Sequence, residues 1–597
     1  MDKTSKTAEK HSLCTASLPT NMQPTSTTPS TTPWASLPAE IRQKILSHVG
    51  LPILWERNSN QTPPRVARFA TICREWQVFF EACTFRRLVL NTENLECFNM
   101  IIRRDSTRLR YTRNIWLRIQ LPLYPCPKCE VPEDEFEKHS NNVIFTYSIR
   151  SLLETLKLWD PAKHGAKGLT LMVSAMSPDD TSHRLIIGDM QSNYPFHPAE
   201  DPDIPPGIAD VHSYYHRRSW CFLVHDGHFA SQQGGHIKRI QGTPLRFEPT
   251  RNETDGFNGE YTNLPAVPMI KGLVMRKQHR REIDTRSLAC LLSRSLVSLE
   301  WFRLERIIHA DILQQLCFEL GFQTHLLPSL PKTLRQFSFV QWKIPSGERR
   351  DVRSGVGTVV TPYSLAYLPR EMAKLSQRLE RFCPPWQTDT AAFLRSMIKL
   401  EKSPVTAGSS LKRIILRFVP TRPEASWRDF ESVVVLAAKA ALLLPQLEVI
   451  ELWATRLEER SCDAYIFRYI HSLGRANIVW RSPQPATEIP PRIITTWNEV
   501  AVKHTHSALE HRVIPFSETR GQMFDSGGTF IYKHLLLKEL AFDRITQIIL
   551  ESEIFYWHLG DPNDASIEDH PILRALATCT AEDLAKCIEE LPAEATW

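Results

Sequence analysis

The sequence predicts an α/β protein in which a small N-terminal helical domain precedes a long region of alternating strands and helices. Two observations carry this prediction. Between residues 36 and 84, apolar residues recur every three or four positions, which is the spacing of amphipathic helices. Further along, the pattern Leu-x-x-Φ-x-Φ, where Φ is apolar, recurs after apolar helical runs, and its last two positions alternate as they do in a strand.

Composition limits the functions open to such a protein. The chain has 597 residues, which suggests either about two to four domains or one repeat array. Lys and Arg number 72, Asp and Glu 66, and the resulting net charge of +6 is too small for a protein whose main partner is nucleic acid. The 22 glycines are about half the usual share of ~7 %, which argues against glycine-rich nucleotide loops. The sequence contains neither a P-loop nor a Gly-x-Ser-x-Gly motif.

The N-terminal region is expected to contain a tail and then two helices. Ser, Thr and Pro dominate the tail, and such a segment buries too little apolar surface to order, so we expect disorder over residues 1–33. The first helix should begin at Pro38, because the N–H that proline lacks has no partner in a first turn. Ile41 and Ile45 then lie on one apolar face, and a second helix is expected over residues 65–84.

These two helices carry a family resemblance. Leu37-Pro-Ala-Glu-Ile41, followed by Ala70-Thr-Ile-Cys-Arg-Glu-Trp76, resembles an F-box over about residues 34–84. The spacing from the first motif to the second is longer than in a typical F-box. The form of the two motifs resembles that of the large, divergent F-box proteins of filamentous fungi. The rest of the chain is similar to the uncharacterised C-terminal region that accompanies the F-box in those proteins. The resemblance implies docking on a Skp-family adaptor through Leu37, Pro38, Ile41, Ile45, Leu46, Ala70, Cys73 and Trp76.

A second resemblance comes from the repeated pattern. Its starting leucines, which lie 35, 45, 32 and 36 residues apart, are Leu299, Leu334, Leu379 (a broken copy), Leu411 and Leu447. This arrangement resembles an irregular leucine-rich repeat with one strand and one helix in each unit. The resemblance implies a solenoid platform over residues 266–490. An ordinary layered α/β domain is the alternative reading of the same pattern.

The remaining regions have less distinctive patterns. We expect residues 85–182 to form a linking α/β region and residues 183–265, rich in Pro, Asp, Asn, Gly and His, to form a loop-rich insertion. Residues 491–597 should be mainly helical. The helices expected in this C-terminal region cover residues 490–504, 532–550 and 580–591.

Two clusters of reactive or charged residues are candidate sites. Cys126 and Cys129 have the spacing of a zinc knuckle, but a structural zinc site needs four ligands and the sequence has no second Cys-x-x-Cys. Two reduced cysteines at a turn are the favoured interpretation, with zinc as the alternative. The basic run from Arg276 to Arg281 lacks the interleaved aromatic residues of a nucleic-acid site, so we interpret it as a solvated turn.

Together these patterns favour a binding protein without catalytic residues or cofactors. By resemblance, it is a substrate-recognition subunit of an SCF-type E3 ubiquitin ligase, with a Skp-family adaptor, a cullin and an unknown target protein as partners. Thirteen scattered cysteines, an odd number, indicate a reduced compartment, and we expect no signal peptide or membrane span. The location expected is the cytoplasm or nucleus. The alternative function is a scaffolding repeat protein with an F-box-like cap and no ligase role.

Overall fold

The computed structural model divides the chain into two compact units, Met1–Phe80 and Glu81–Trp597. The expected tail before Pro33, most of the expected insertion, Cys126, Cys129 and everything after Phe542 lie outside the described residues. The ranges described are residues 33–55, 66–125, 128, 131–182, 238–248, 264–276, 281–308, 312–342, 368–385, 388–400, 408–418, 427–455, 464–482, 488–516, 531–532 and 534–542.

The N-terminal unit contains the helices expected there, with one difference. The first long helix begins directly after Pro38, whose carbonyl accepts hydrogen bonds from the backbone N–H groups of Ile41 and Arg42, both at 3.1 Å. The second expected helix is interrupted at Ile72 and Cys73, because the chain first forms a tighter 3₁₀ turn. The elements are α1 Pro33–Ser36, α2 Ala39–Trp55, the 3₁₀ helix Val66–Thr71 and α3 Arg74–Arg86, which continues past residue 80.

The second unit is built on one sheet in which neighbours in space are neighbours in sequence. The first nine of the twelve described strands pair in parallel, the tenth runs antiparallel to both of its neighbours, and the last two are parallel again. The described strands are β1 Arg87–Asn91, β2 Asn114–Gln120, β3 Leu169–Met176, β4 Ile270–Met275, β5 Trp301–Ile307, β6 Gln336–Trp342, β7 Arg381–Cys383, β8 Arg413–Phe418, β9 Val449–Thr455, β10 Ala464–Ser472, β11 Arg475–Ser482 and β12 Glu510–Pro515.

Helices connect the parallel strands. Crossovers between parallel strands are almost always right-handed, so a sheet that grows in one direction receives its crossover helices on one face. We call this the first face and the opposite side the second face. The described helices of this unit are α4 Leu95–Arg104, α5 Glu135–Leu156, α6 Pro161–His164, α7 Asp179–Ser182, α8 Thr285–Cys290, α9 Ile312–Gly321, α10 Leu368–Ser376, α11 Thr390–Leu400, α12 Trp427–Ala441, α13 Pro491–Thr505 and α14 Lys538–Ala541, with short 3₁₀ and π segments at Ser106–Tyr111, Leu291–Ser295, Phe322–Leu326 and Leu327–Ser329.

The repeated pattern of the sequence coincides with the strands. Every starting leucine of the pattern is at most 1 % exposed, and the apolar position three residues later belongs to the main hydrophobic core. These later positions face each other across the sheet in register. The row runs Phe302, Phe337, Phe382, Ile414, Ile450 on β5, β6, β7, β8 and β9. The strands expected at the four full copies are therefore confirmed, and the broken copy forms β7.

A row of alternating charge runs beside this buried row. From the second copy on, the residue after each starting leucine donates its backbone N–H to the carbonyl of its counterpart in the preceding copy, for example from Glu380 to Arg335 at 2.7 Å. The side chains in the row alternate in sign. Glu380 lies between Arg335, at 3.4 Å, and Lys412, at 3.2 Å. The alternation favours the observed order of the strands in the sheet, since pairing a strand with the next strand but one would bring like charges together.

Both ends of the sheet extend beyond the expected platform. Residues 85–182, expected to link the two parts, supply β1, β2 and β3 to the same sheet. The expected helix at 490–504 is confirmed as α13, and β12 follows it. In the stretch expected as a helix from residue 532, Leu535 to Leu537 are not helical, because two of their N–H groups bond to Glu451 instead. No described helix has the length and apolar character needed to cross a membrane.

Reversing one charge should disturb this row. Glu380→Lys would place three cations side by side. The variant loses two partly exposed ion pairs, each of which contributes less than about 1 kcal/mol, and gains repulsion between like charges. We therefore expect the free energy of unfolding to fall by about 1 kcal/mol. Urea unfolding in low salt measures the change. Glu380→Gln should cost about half as much. Glu371→Lys, which breaks only a helix pair with Lys374, serves as the control. Equal effects of the Lys and Gln variants at position 380 would contradict the role assigned to alternation.

Candidate functional site

The first candidate site lies where the two main helices of the N-terminal unit begin. Glu75, in the first turn of α3, accepts hydrogen bonds from the Trp34 indole at 2.8 Å and from Arg42 Nε, in the first turn of α2, at 2.9 Å. The hydrogen bond from Arg42 is the main cause that lowers the pKa of Glu75, and that from Trp34 adds to it. The carboxylate therefore holds the starts of both helices at one end of the unit.

Apolar side chains surround this carboxylate clamp. An aromatic cluster packs beneath it, in which the ring centroids of Trp34 and Trp76 are 5.6 Å apart and those of Trp76 and Phe80 are 5.5 Å apart. Phe80 is fully buried, so the cluster forms the core of the unit. The clamp and the cluster together fix the positions of the side chains that the F-box resemblance singles out.

The eight residues predicted to bind the adaptor divide by exposure. Leu46 is 2 % exposed and belongs to the core, which leaves it no free surface for a partner. Ile41 is 42 % exposed, and Pro38 and Cys73 are exposed as well. Ile72, which the motif did not single out, is 57 % exposed. The remaining four are half-buried: Leu37, Ile45, Ala70 and Trp76.

A second polar cluster lies beyond the carboxyl ends of the strands in the other unit. Arg281 forms a two-point ion pair with Glu133, with nitrogen to oxygen distances of 2.8 and 2.5 Å. Both side chains are buried. Burial raises the pKa of Glu133, but the charge and hydrogen bonds of Arg281 outweigh it and hold the pKa below its usual range. Gly242 has a positive φ of 53°, and a Cβ there would overlap the Arg281 guanidinium.

The neighbouring groups extend this cluster. The Tyr124 hydroxyl donates to Asp180 at 2.7 Å, and burial raises the pKa of both groups. Arg239 lies over the Tyr124 ring and pairs with Glu137, and its hydrogen bonds lower the pKa of Glu137 to about 2. A cavity of about 30 Å³ adjoins the cluster, which is room for about two water molecules. Its charged and polar lining consists of Ser174, Arg276, Arg281, Glu282, Glu305 and Arg306.

This cluster corrects one interpretation of the sequence. The basic run from Arg276 to Arg281 is predicted to be a solvated turn, but Arg276 is 3 % exposed and Arg281 is 9 % exposed, while residues 277–280 lie outside the described residues. At Arg281 the prediction is wrong because the carboxylate that neutralises this residue lies far away in the sequence, at Glu133. No sequence signal pairs the two residues.

The third candidate site is the second face of the sheet between β5 and β10. A segment that we call the strap, residues 531–542 without Lys533, lies on this face. Glu451 of β9 is fully buried beneath it and accepts backbone N–H bonds from Leu536 and Leu537, at distances from 2.8 to 3.1 Å. Arg468 of β10 pairs with Glu451 at 2.6 Å and donates to the carbonyl of His534 at 2.7 Å.

One more hydrogen bond and a set of apolar contacts complete the attachment of the strap. Arg303 of β5 donates to the carbonyl of Glu539, and α14 packs on β6 and β7. The side chains of the strap form a hydrophobic cluster with second-face residues, separate from the main core. Its members from the strap are Ile531, Tyr532, Leu535, Leu537, Leu540, Ala541 and Phe542, and those from the sheet include Val340, Cys383, Ile415, Trp453 and Ile466.

The zinc hypothesis concerns residues outside the described ranges, because Cys126 and Cys129 are not among them. Within those ranges, no group of three or more His, Cys, Asp or Glu side chains is placed to hold a metal ion. The hypothesis stays a prediction that metal analysis of the purified protein can test.

Comparison with known proteins gives one match. The model of a family of unknown function, DUF6546, matches residues 329–543, a little over a third of the chain. The matched part begins shortly before β6 and ends one residue after the strap, and it is similar to that family. No curated protein and no solved structure matches the chain significantly.

Removing one partner of the buried ion pair should be costly. Arg281→Met leaves the Glu133 carboxylate buried and unpaired, so we expect the free energy of unfolding to fall by about 3–5 kcal/mol. The double variant Arg281→Met/Glu133→Gln should recover a large part of that loss, because no buried charge is left alone. Urea or thermal unfolding of the three proteins measures this. A double variant no more stable than Arg281→Met would contradict the pairing.

Neutralising the clamp should loosen the start of the N-terminal unit. Glu75→Gln weakens the bonds to Arg42 and Trp34, so we expect several-fold faster hydrogen exchange in peptides covering residues 33–49. In the wild type, a pKa lowered by folding means that this stabilisation is present above pH 4.5 and is lost as the pH falls through the lowered pKa. Glu81→Gln, on the same helix but paired with Arg108, is the control and should affect residues 104–112 instead. Unchanged exchange at 33–49 in Glu75→Gln would contradict the clamp.

Proposed function

We propose that the protein is a non-catalytic substrate-recognition subunit of an SCF-type E3 ubiquitin ligase. In this proposal the N-terminal unit is an F-box that docks on a Skp-family adaptor and through it on a cullin. The sheet-containing unit is an irregular leucine-rich-repeat-like solenoid that binds a target protein. The observation that carries the proposal is the exposure of Pro38, Ile41 and Cys73 around the helix starts that Glu75 joins.

The exposure of these motif residues supports docking better than a purely structural role. Apolar residues that only stabilise a small helical unit are expected to be buried, as Leu46 and Phe80 are. Ile41 and Ile72 instead keep about half of their surface accessible at the end of the unit where both helices begin. Apolar side chains held in fixed positions at a surface are the anchors that protein interfaces use.

The order of the strands supports the solenoid. In repeat proteins each unit contacts only its neighbours, and a leucine in each unit points into a continuous core. Here each strand pairs only with the strands next to it in sequence, and the five pattern leucines are buried in one core. An ordinary doubly wound α/β sheet would instead change direction at a switch point in the strand order.

The chemistry of such a receptor is proximity. It holds a target where a separate conjugating enzyme acts, so that the effective concentration of the reacting groups rises without any catalytic residue in the receptor. The proposal requires no cofactor and no nucleic acid. It places the protein in the cytoplasm or nucleus, where the ligase components act.

The alternative is a scaffolding repeat protein with an F-box-like cap. The spacing between the motifs of α2 and α3, which is longer than in a typical F-box, favours this alternative. It predicts that affinity purification recovers another stable partner and no cullin, whereas the ligase proposal predicts that the adaptor and a cullin are recovered together.

The docking residues can be tested directly. We expect the wild type to retain a Skp-family adaptor, and the double variant Pro38→Ala/Ile41→Ala to bind it at least tenfold more weakly, about 1.4 kcal/mol. Both residues are exposed, so alanine should leave the unit folded, which circular dichroism checks. Leu123→Ala, another exposed apolar residue, is the control. The proposal fails if the wild type does not bind the adaptor, or if the double variant binds as well as the wild type.

A further inference from the structure

The second face between β5 and β10 forms hydrogen bonds with the backbone of the strap as well as contacts with its apolar side chains. Arg468 and Arg303 bind the carbonyls of His534 and Glu539, and Glu451 binds two successive N–H groups. Side chains that stand on strands therefore satisfy the main chain of a passing segment. Where backbone groups supply the hydrogen bonds, the sequence of the bound segment matters chiefly at the apolar positions that fill pockets.

The apolar positions of the strap define what those pockets accept. Leu537 and Leu540, each 3 % exposed, and Phe542, 1 % exposed, pack against a second-face surface that includes Trp453 and Ile466. A segment able to replace the strap would present three or four apolar side chains at this spacing. It would also leave two successive N–H groups free, which a helix interior cannot do.

We propose that this face is a peptide-binding surface, occupied in the free protein by the chain's own strap, and that a target segment of the same chemistry binds by displacing it. The inference rests on the proposed function, because it takes the sheet to be the target platform. It also changes that proposal, since a target would meet a covered face rather than an open one.

The charged residues of the face fit an exchangeable occupant. Glu451 is fully buried under the strap, and its partner Arg468 is nearly so. When the strap leaves, both groups become accessible to water and remain paired with each other, so neither is left as an unpaired buried charge. A segment that only covered the sheet would not need the Glu451–Arg468 pair beneath it, because replacing a buried ion pair by apolar residues is often neutral or stabilising.

The tether sets how strongly the strap competes. Only the 14 residues 517–530 separate the strap from the end of the sheet in the sequence, and attachment within one chain at so short a separation gives an effective concentration on the order of 1 mM. A strap whose bimolecular Kd is about 1 μM would then weaken a competing peptide roughly a thousandfold. Weakening the strap should therefore strengthen the binding of a peptide in trans.

The test uses a fluorescein-labelled synthetic peptide with the sequence of residues 531–542 and the full-length protein. We expect the variant Leu537→Ala/Leu540→Ala, whose own strap is weakened, to bind the labelled peptide at least tenfold more tightly than the wild type does, by fluorescence anisotropy. Adding Glu451→Gln to this variant should abolish the gain. The control Leu394→Ala/Met397→Ala truncates two buried side chains on the first face and should bind the peptide no better than the wild type.

A second measurement needs no variant. In the wild type, the peptide containing Leu536 and Leu537 should exchange its amide hydrogens faster than β8 and β9, because the strap opens without the sheet. Exchange only together with β8 and β9 would overturn the proposal, as would equal peptide binding by the wild type and the strap variant, or binding gained by the first-face control. Adaptor binding, measured on the same proteins, separates the F-box proposal from the strap proposal. Failure of the wild type to bind the adaptor would contradict the F-box proposal and would not change the result expected for the strap.

Discussion

The architecture depends on lateral register. Each strand from β5 to β9 places an apolar side chain opposite one on the next strand, and a starting leucine just before each strand closes the core beneath the helices. Because side chains alternate between faces, a shift by one residue would move this row from the core to the other side. The position of every residue on the second face, charged or apolar, follows from this one constraint.

The two faces of the sheet differ in what covers them. The first face is covered by helices, whereas the second carries Glu451, Arg468 and Arg303 among apolar residues. Backbone groups of the strap meet these charges directly. The region similar to DUF6546 covers residues 329–543, so strands β6 to β12 and the strap lie within the matched region, whereas β1 to β5 precede it.

The buried ion pairs join parts of the chain that are distant in sequence. Glu133 precedes α5 and Arg281 precedes α8, yet their two-point pairing locks both segments to the carboxyl ends of the strands. The cluster around Asp180 and Tyr124 adds further polar groups at this edge. Arg281 and Glu133 therefore compensate each other's charge inside the protein.

The sequence by itself determined the elements whose signals are local. Leu299 and Phe302 mark β5 through spacing alone, and Pro38 marks the start of α2, because periodicity and backbone chemistry act over a few residues. Only the tertiary structure decided the partners of Arg281 and Glu451 and the non-helical backbone of Leu536. Those outcomes depend on burial and on charges from distant segments, and an apolar run such as Leu535 to Leu537 reads as helix until a buried carboxylate takes its N–H groups.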